Sequence, residues 1–161
     1  METISRTIRH DEVLGLEAFC LQGYAQPFPK HFHDYYVLGF VVSGERELIC
    51  NGLNLKLSPG HLLIFNPRDN HECVSTSRAP FLHYLGFNIL KKRMEDISME
   101  LTGDSCLPQF KPTVFSDESA CNAFLELHGL IMQRSDVLRK EKLFYVLFSR
   151  LFEKYAHSSL Q

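Results

Sequence analysis

The sequence predicts a mainly β fold, an antiparallel sandwich or barrel, followed by a C-terminal helical hairpin. Two observations carry this. Between residues 17 and 90 the apolar residues fall into six short runs, at roughly 8–12-residue spacing, each ended by Gly, Pro or Asn. From residue 116 onward the apolar positions recur instead every three or four residues, the period of a helix.

In chain order, "EAFCLQGYA" (17–25) is the first run, and Pro27 and Pro29 close it. "YYVLGFVV" (35–42) ends at Ser43-Gly44, and "ERELIC" (45–50) runs into Asn51-Gly52, a strong hairpin signal. "LNLKL" (53–57) alternates up to Ser58-Pro59-Gly60. "HLLIFN" (61–66) stops at Pro67, and "FLHYLGFNIL" (81–90) completes the set. Residues 91–115 read as an irregular connection, because Gly103, Pro108 and Pro112 interrupt any long element. Residues 116–157 read as two helices. Ser116 is a candidate N-cap, with Asp117 and Glu118 suited to the positive end of the helix dipole. The second helix starts after Ser135 or Asp136 and runs to about Tyr155. Phe144, Leu147, Phe148, Leu151, Phe152 and Tyr155 follow helical spacing, and Leu143, Tyr145 and Val146 widen the apolar arc. An arc that broad is either sandwiched between the hairpin mate and the barrel or offered to a partner, and on the second reading Phe144, Leu147, Phe148, Leu151 and Tyr155 form a homodimer interface.

Composition bounds the function. A chain of 161 residues with 45% hydrophobic and 22% charged residues suits one globular domain. A net charge of -2 argues against nucleic-acid binding by this chain, and Lys91-Lys92-Arg93 reads as a solvated turn. Five scattered cysteines, no apolar leader and no stretch near the ~20 residues of a membrane span point to a soluble cytoplasmic protein with reduced thiols.

The chemistry-bearing feature is His31-Phe32-His33, two imidazoles on one face of a strand. On that parity Tyr35, Val37 and Gly39 share their face. Along 81–90, Leu82, Tyr84, Gly86 and Asn88 share one face, and Phe81, His83, Leu85, Phe87 and Ile89 the other. Parity alone does not decide whether Arg46 or Glu47 points inward.

These motifs resemble the cupins. His31-Phe32-His33 and Gly44 fit the first cupin motif, and Gly60 with His71 eleven residues later fits the second. Val37 stands where the motif's metal-binding glutamate belongs, leaving His31, His33 and His71 as the only candidate ligands of a divalent metal; no cofactor is expected. A closer resemblance is to the N-terminal effector-binding and dimerisation domain of AraC-type transcription regulators. "HFHDYYVLGFVVSGE", "LSPGHLLIFNPRDNH" and "HYLGFNI", in that order and ahead of two helices, carry it from about residue 17 to 156.

This resemblance implies one sensor domain: a cupin-like jelly-roll β-barrel over 17–90 that binds a small-molecule effector, and a dimerisation hairpin over 116–157. It implies no catalytic residues, and contact with DNA only through a helix-turn-helix domain beyond residue 161. The expected ligand-binding residues are His31, His33, Tyr35, His71 and Tyr84. The alternative is a small metal-dependent cupin enzyme, an isomerase or dioxygenase with a three-histidine site.

Overall fold

The computed structural model describes residues 4–75 and 78–157. Among them the chain forms β1 (Ser5–Asp11), β2 (Leu16–Tyr24), β3 (Phe28–His31), β4 (Tyr36–Ser43), β5 (Arg46–Cys50), β6 (Leu53–Leu57), β7 (Leu62–Phe65), β8 (His71–Ser75) and β9 (Leu82–Ile89). Then come α1 (Lys91–Thr102), β10 (Gln109–Phe110), β11 (Val114–Phe115), α2 (Glu118–Gln133), α3 (Val137–Tyr155) and β12 (Ala156–His157). No described helix is long and apolar enough to cross a membrane.

The six expected runs become β2, β4, β5, β6, β7 and β9, within a residue or two of their sequence bounds. The Asn51-Gly52 turn joins β5 to β6, with Cys50 opposite Leu53. Asn51 and Gly52 both take positive φ, 48° and 82°, which a two-residue hairpin turn of this hand requires. All the described strand pairs are antiparallel, and they form a six-stranded sheet ordered β1-β2-β9-β4-β7-β11, a four-stranded sheet ordered β3-β8-β5-β6 and a two-stranded sheet of β10 and β12. The expected cupin-like jelly roll with C-terminal helices is therefore present.

Strand parity splits the apolar residues into two cores. Leu16, Ala18, Leu38, Phe40, Leu62, Ile64, Phe87 and Ile89 point from the large sheet towards the helices, joining Phe124, Leu127, Phe144, Leu147 and Phe148. The intervening residues Val37, Val41, Leu63, Phe65 and Leu82 point towards the small sheet, joining Leu48, Cys50 and Leu57. The large sheet is thus apolar on both faces, and only the second face looks into the barrel lumen.

Several expectations need correction. Residues 91–115 are not irregular: α1 occupies the first half, with Met94 and Ile97 buried in the helix-side core and Gly103 ending it in a left-handed conformation. Lys91-Lys92-Arg93 forms its first turn rather than a solvated loop, and Arg93 donates to the Leu14 carbonyl at 2.7 Å and lies over the Phe144 ring. The N-cap of α2 is Asp117, not Ser116, its carboxylate accepting from the Ala120 N–H at 3.0 Å. α3 begins and ends where expected. Its assigned dimer face, however, is turned inward. Phe144, Leu147, Phe148 and Leu151 are each at most 2% exposed within this one chain, buried in the helix-side core alongside α2 and α1. Tyr155 is half-buried and donates its hydroxyl to Asp117 at 2.6 Å. The wide apolar arc is consumed by packing on two sides, and Tyr145 and Val146 are left outside.

Candidate functional site

Between the sheets lies a cavity of about 290 Å³, and His31, His33, Tyr35, His71 and Tyr84 all line it. The five come from separate parts of the chain. β3 and β8 place His31 opposite His71 in register. His33 and Tyr35 follow on the segment leading into β4, where their alternation with Phe32 and Asp34 keeps them inward. Tyr84 comes from β9, sharing its face with Leu82 and Asn88 as the parity predicts.

The turn before β8 is what delivers His71. Asn66 is buried and acts as its hub: its N–H donates to Asp69 at 2.9 Å, while its side chain accepts from the Phe110 N–H at 2.8 Å and donates to the Phe110 carbonyl at 3.0 Å. Arg68 takes a φ of 71° and donates its N–H to the His33 carbonyl at 2.7 Å. The turn is thereby stitched to the segment carrying the other histidines.

The three imidazoles converge. Ring centroids lie 4.3 Å apart for His31 and His71, 4.8 Å for His31 and His33, and 5.2 Å for His33 and His71. One ring nitrogen from each lies within 4.8 Å of the others. Nδ1 of His31 faces the Pro29 carbonyl at 2.6 Å, and Nδ1 of His71 faces the Asp69 carbonyl at 2.9 Å. A carbonyl accepts only, so both Nδ1 atoms carry a proton, which leaves Nε2 as the lone-pair nitrogen of each ring in its neutral form. Phe65 stacks on His71 at 3.8 Å and Tyr35 on His33 at 4.8 Å, which fixes the ring planes. Burial, reinforced by the neighbouring histidines, pushes His71 down to about 4; burial followed by His31 also lowers His33. These two imidazoles are neutral at neutral pH, so this end of the lumen offers uncharged acceptors.

The far wall is aromatic. Phe19 and Tyr84 meet edge to face at 5.4 Å over paired glycines, Gly39 on β4 and Gly86 on β9. A methyl group at Gly39 would overlap the Tyr84 ring, and one at Gly86 the Phe19 ring. Only hydrogen side chains let both rings lie against the sheet and leave the lumen open. The Tyr84 hydroxyl has no hydrogen-bond partner among the described residues, and burial raises its pKa.

Other lining residues escape a reading of local motifs. Phe19 and Leu21 sit on β2, whose inward face only the pairing with β9 defines. Arg6 comes from β1, an exposed polar strand without apolar alternation. The ambiguity at the start of β5 is resolved: Arg46 is fully buried and Glu47 exposed. His83 lies on the outer face, its Nε2 3.6 Å from the Cys20 thiol.

With this geometry in view, comparison with known proteins gives three findings. Residues 15–148 match the model of the AraC-like ligand binding domain. The chain is 39% identical over 156 residues to the uncharacterized HTH-type transcriptional regulator YbfI of Bacillus subtilis (strain 168), covering 97% of this chain. It spans only 56%, about half, of that relative's length. Among solved structures, KdgF from Halomonas sp. is 26% identical with a TM-score of 0.45, over 53% of this chain and 77% of that one. An RmlC-like cupin family protein from Methanocaldococcus jannaschii is 11% identical with a TM-score of 0.46, over 56% and 81%. On the strength of the match over residues 15–148, the chain belongs to the AraC-like ligand binding domain family.

Proposed function

We propose that the barrel lumen is the effector site of a transcription regulator, held by His31, His33, Tyr35, His71 and Tyr84. The observation that supports this best is the lumen itself. It is a preformed, mainly apolar cavity with a few convergent polar groups lacking protein partners, the usual form of a small-molecule site. No residue in it is assigned a catalytic role. The effector acts by binding two conformations of the parent regulator unequally, and DNA contact belongs to a helix-turn-helix part outside residues 1–161. In this reading the parent pairs with a second copy through the outward stripe of α3, where Leu138, Tyr145 and Val146 are exposed. The test is native mass spectrometry of the chain against pooled metabolites. We expect a bound small molecule that is lost on Val37→Trp, which fills the lumen while His83 and the outer face stay intact. Retention of that ligand by the filled variant would refute the site.

One observation favours a second reading, a metal-dependent site. Two of the three imidazoles have their Nδ1–H pinned by backbone carbonyls, the arrangement that orients metal-binding histidines. The donor set suits a late divalent transition metal with an open position, which would supply Lewis acidity. Val37 supplies no charge to it. Elemental analysis discriminates: stoichiometric Zn, Fe, Mn or Ni that disappears in His31→Ala or His71→Ala establishes the metal, and its absence from protein grown with metal supplementation rejects it.

A further inference from the structure

We propose that the effector is a compact aromatic carboxylate that also carries a hydroxyl group. Its carboxylate pairs with Arg6 at the rim, and its hydroxyl donates to the imidazole lone pairs. This rests on the lumen being the effector site.

The charge distribution points to an anion. Arg6 lines the cavity from the edge strand β1, and among the described residues its guanidinium has no carboxylate partner. Glu17, on the same sheet face, already accepts from Asn88 at 2.9 Å. At the other end, Arg46 is wholly buried behind Phe28, whose ring its guanidinium overlies at 5.4 Å. It donates to the carbonyls of Gln26 at 2.8 Å and Tyr24 at 2.7 Å, and among the described residues its Nε has no partner. Carbonyl dipoles hold this cation without cancelling it, and a low-dielectric interior carries its field into the lumen. Glu17 keeps its charge in the Asn88 hydrogen bond, so two guanidinium groups, Arg6 and Arg46, stand against one carboxylate near the lumen, a surplus that an anionic ligand offsets.

The hydrogen-bond inventory adds the second group. With its Nδ1–H held by the Asp69 carbonyl, the neutral His71 ring offers Nε2 as an acceptor, and a carboxylate facing it would set acceptor against acceptor. That position calls for a donor. Tyr35 links the two ends, stacked on His33 at 4.8 Å and within electrostatic reach of Arg6, so one small molecule spans both. The body between them meets Phe19, Phe65 and Tyr84, and a cavity of about 290 Å³ confines it to a compact molecule.

Calorimetric titration of the chain with a hydroxybenzoate, the matching hydroxybenzamide, benzoate and a neutral hexose tests this. The hydroxybenzoate should bind tightest, the amide roughly tenfold more weakly for loss of the charged pair, and benzoate about threefold to tenfold more weakly for loss of the donor. Arg6→Gln should erase the difference between acid and amide. Equal binding of acid and amide, tighter binding of the hexose, or no hydroxybenzoate binding at millimolar concentration would overturn the proposal. Ring-proton shifts of His33 and Tyr84 in the unsubstituted chain separate the two levels. If the amide or hexose moves them, the lumen stands and the carboxylate falls. If the acid binds without moving them, the lumen reading itself fails.

Discussion

At the scale of single residues, the site depends on side chains that are missing as much as on those present. Gly39 and Gly86 pair across β4 and β9, and each lies beneath an aromatic ring. Gly86→Ala should force Phe19 off the sheet at a cost of about 2 kcal/mol, typical of overpacking. That lowers the melting temperature by roughly 4–8 °C for a chain of this size. Phe19→Leu in the same chain should recover most of the loss, and an unchanged melting curve for Gly86→Ala alone would disprove the packing account. Both glycines are visible in the sequence as shared-face residues. What they face is not, because the rings that cover them come from other positions in the pairing.

Among the elements, one acidic residue ties the two C-terminal helices together and another ties α3 to the sheet. Asp117 caps α2 and also accepts from Tyr155 and Arg150 of α3. Burial opposes its ionisation, yet the hydrogen bonds from Tyr155, the Ala120 N–H and Arg150 prevail and hold it down at about 2, against an ordinary 3.8. A carboxyl lowered on folding gives stability that is complete above its unfolded pKa and vanishes as pH falls through the folded one. The helical hairpin should therefore weaken between about pH 4 and pH 2. Asp117→Asn should flatten that stretch of the acid-unfolding curve followed by circular dichroism; an identical curve would reject the linkage.

Asp11 of β1 pairs with Lys140 of α3 at 2.7 Å, both side chains at most 8% exposed. Lys140→Met strands the carboxylate and should cost about 3 kcal/mol. Adding Asp11→Leu should return much of it, as a double-mutant cycle in denaturant would measure.

For the whole molecule, the inward turn of α3 changes what interface mutations can mean. Phe148 and Leu151 are at most 1% exposed, so Phe148→Glu with Leu151→Lys buries charge in the helix-side core and should unfold the chain. Sedimentation alongside circular dichroism checks this, since folded, soluble monomers would show that the face had been free. Effector binding works at the same scale. A ligand that binds only the folded chain, present at one hundred times its Kd, stabilises it by about 2.7 kcal/mol. The lumen and the helices share the large sheet, whose two faces are the two cores.

The sequence alone determined the antiparallel β architecture, the Asn51-Gly52 hairpin, the span of α3 and the shared face of His31, His33 and Tyr35. Each of these follows from local periodicity or turn chemistry, which are properties of neighbouring residues. α1 was legible in principle, since Met94, Ile97 and Leu101 keep helical spacing, but its polar composition and the following Gly and Pro obscured it. β1 and β8 carry weak alternation and owe their strand state to the partners they hydrogen-bond. Only the tertiary structure decided that Arg46 is buried and Glu47 exposed, that Arg6 reaches the lumen, and that the widest apolar stripe of α3 is core. Those outcomes depend on which surfaces meet, and a burial choice between two packable faces is made by the partner rather than by the segment itself.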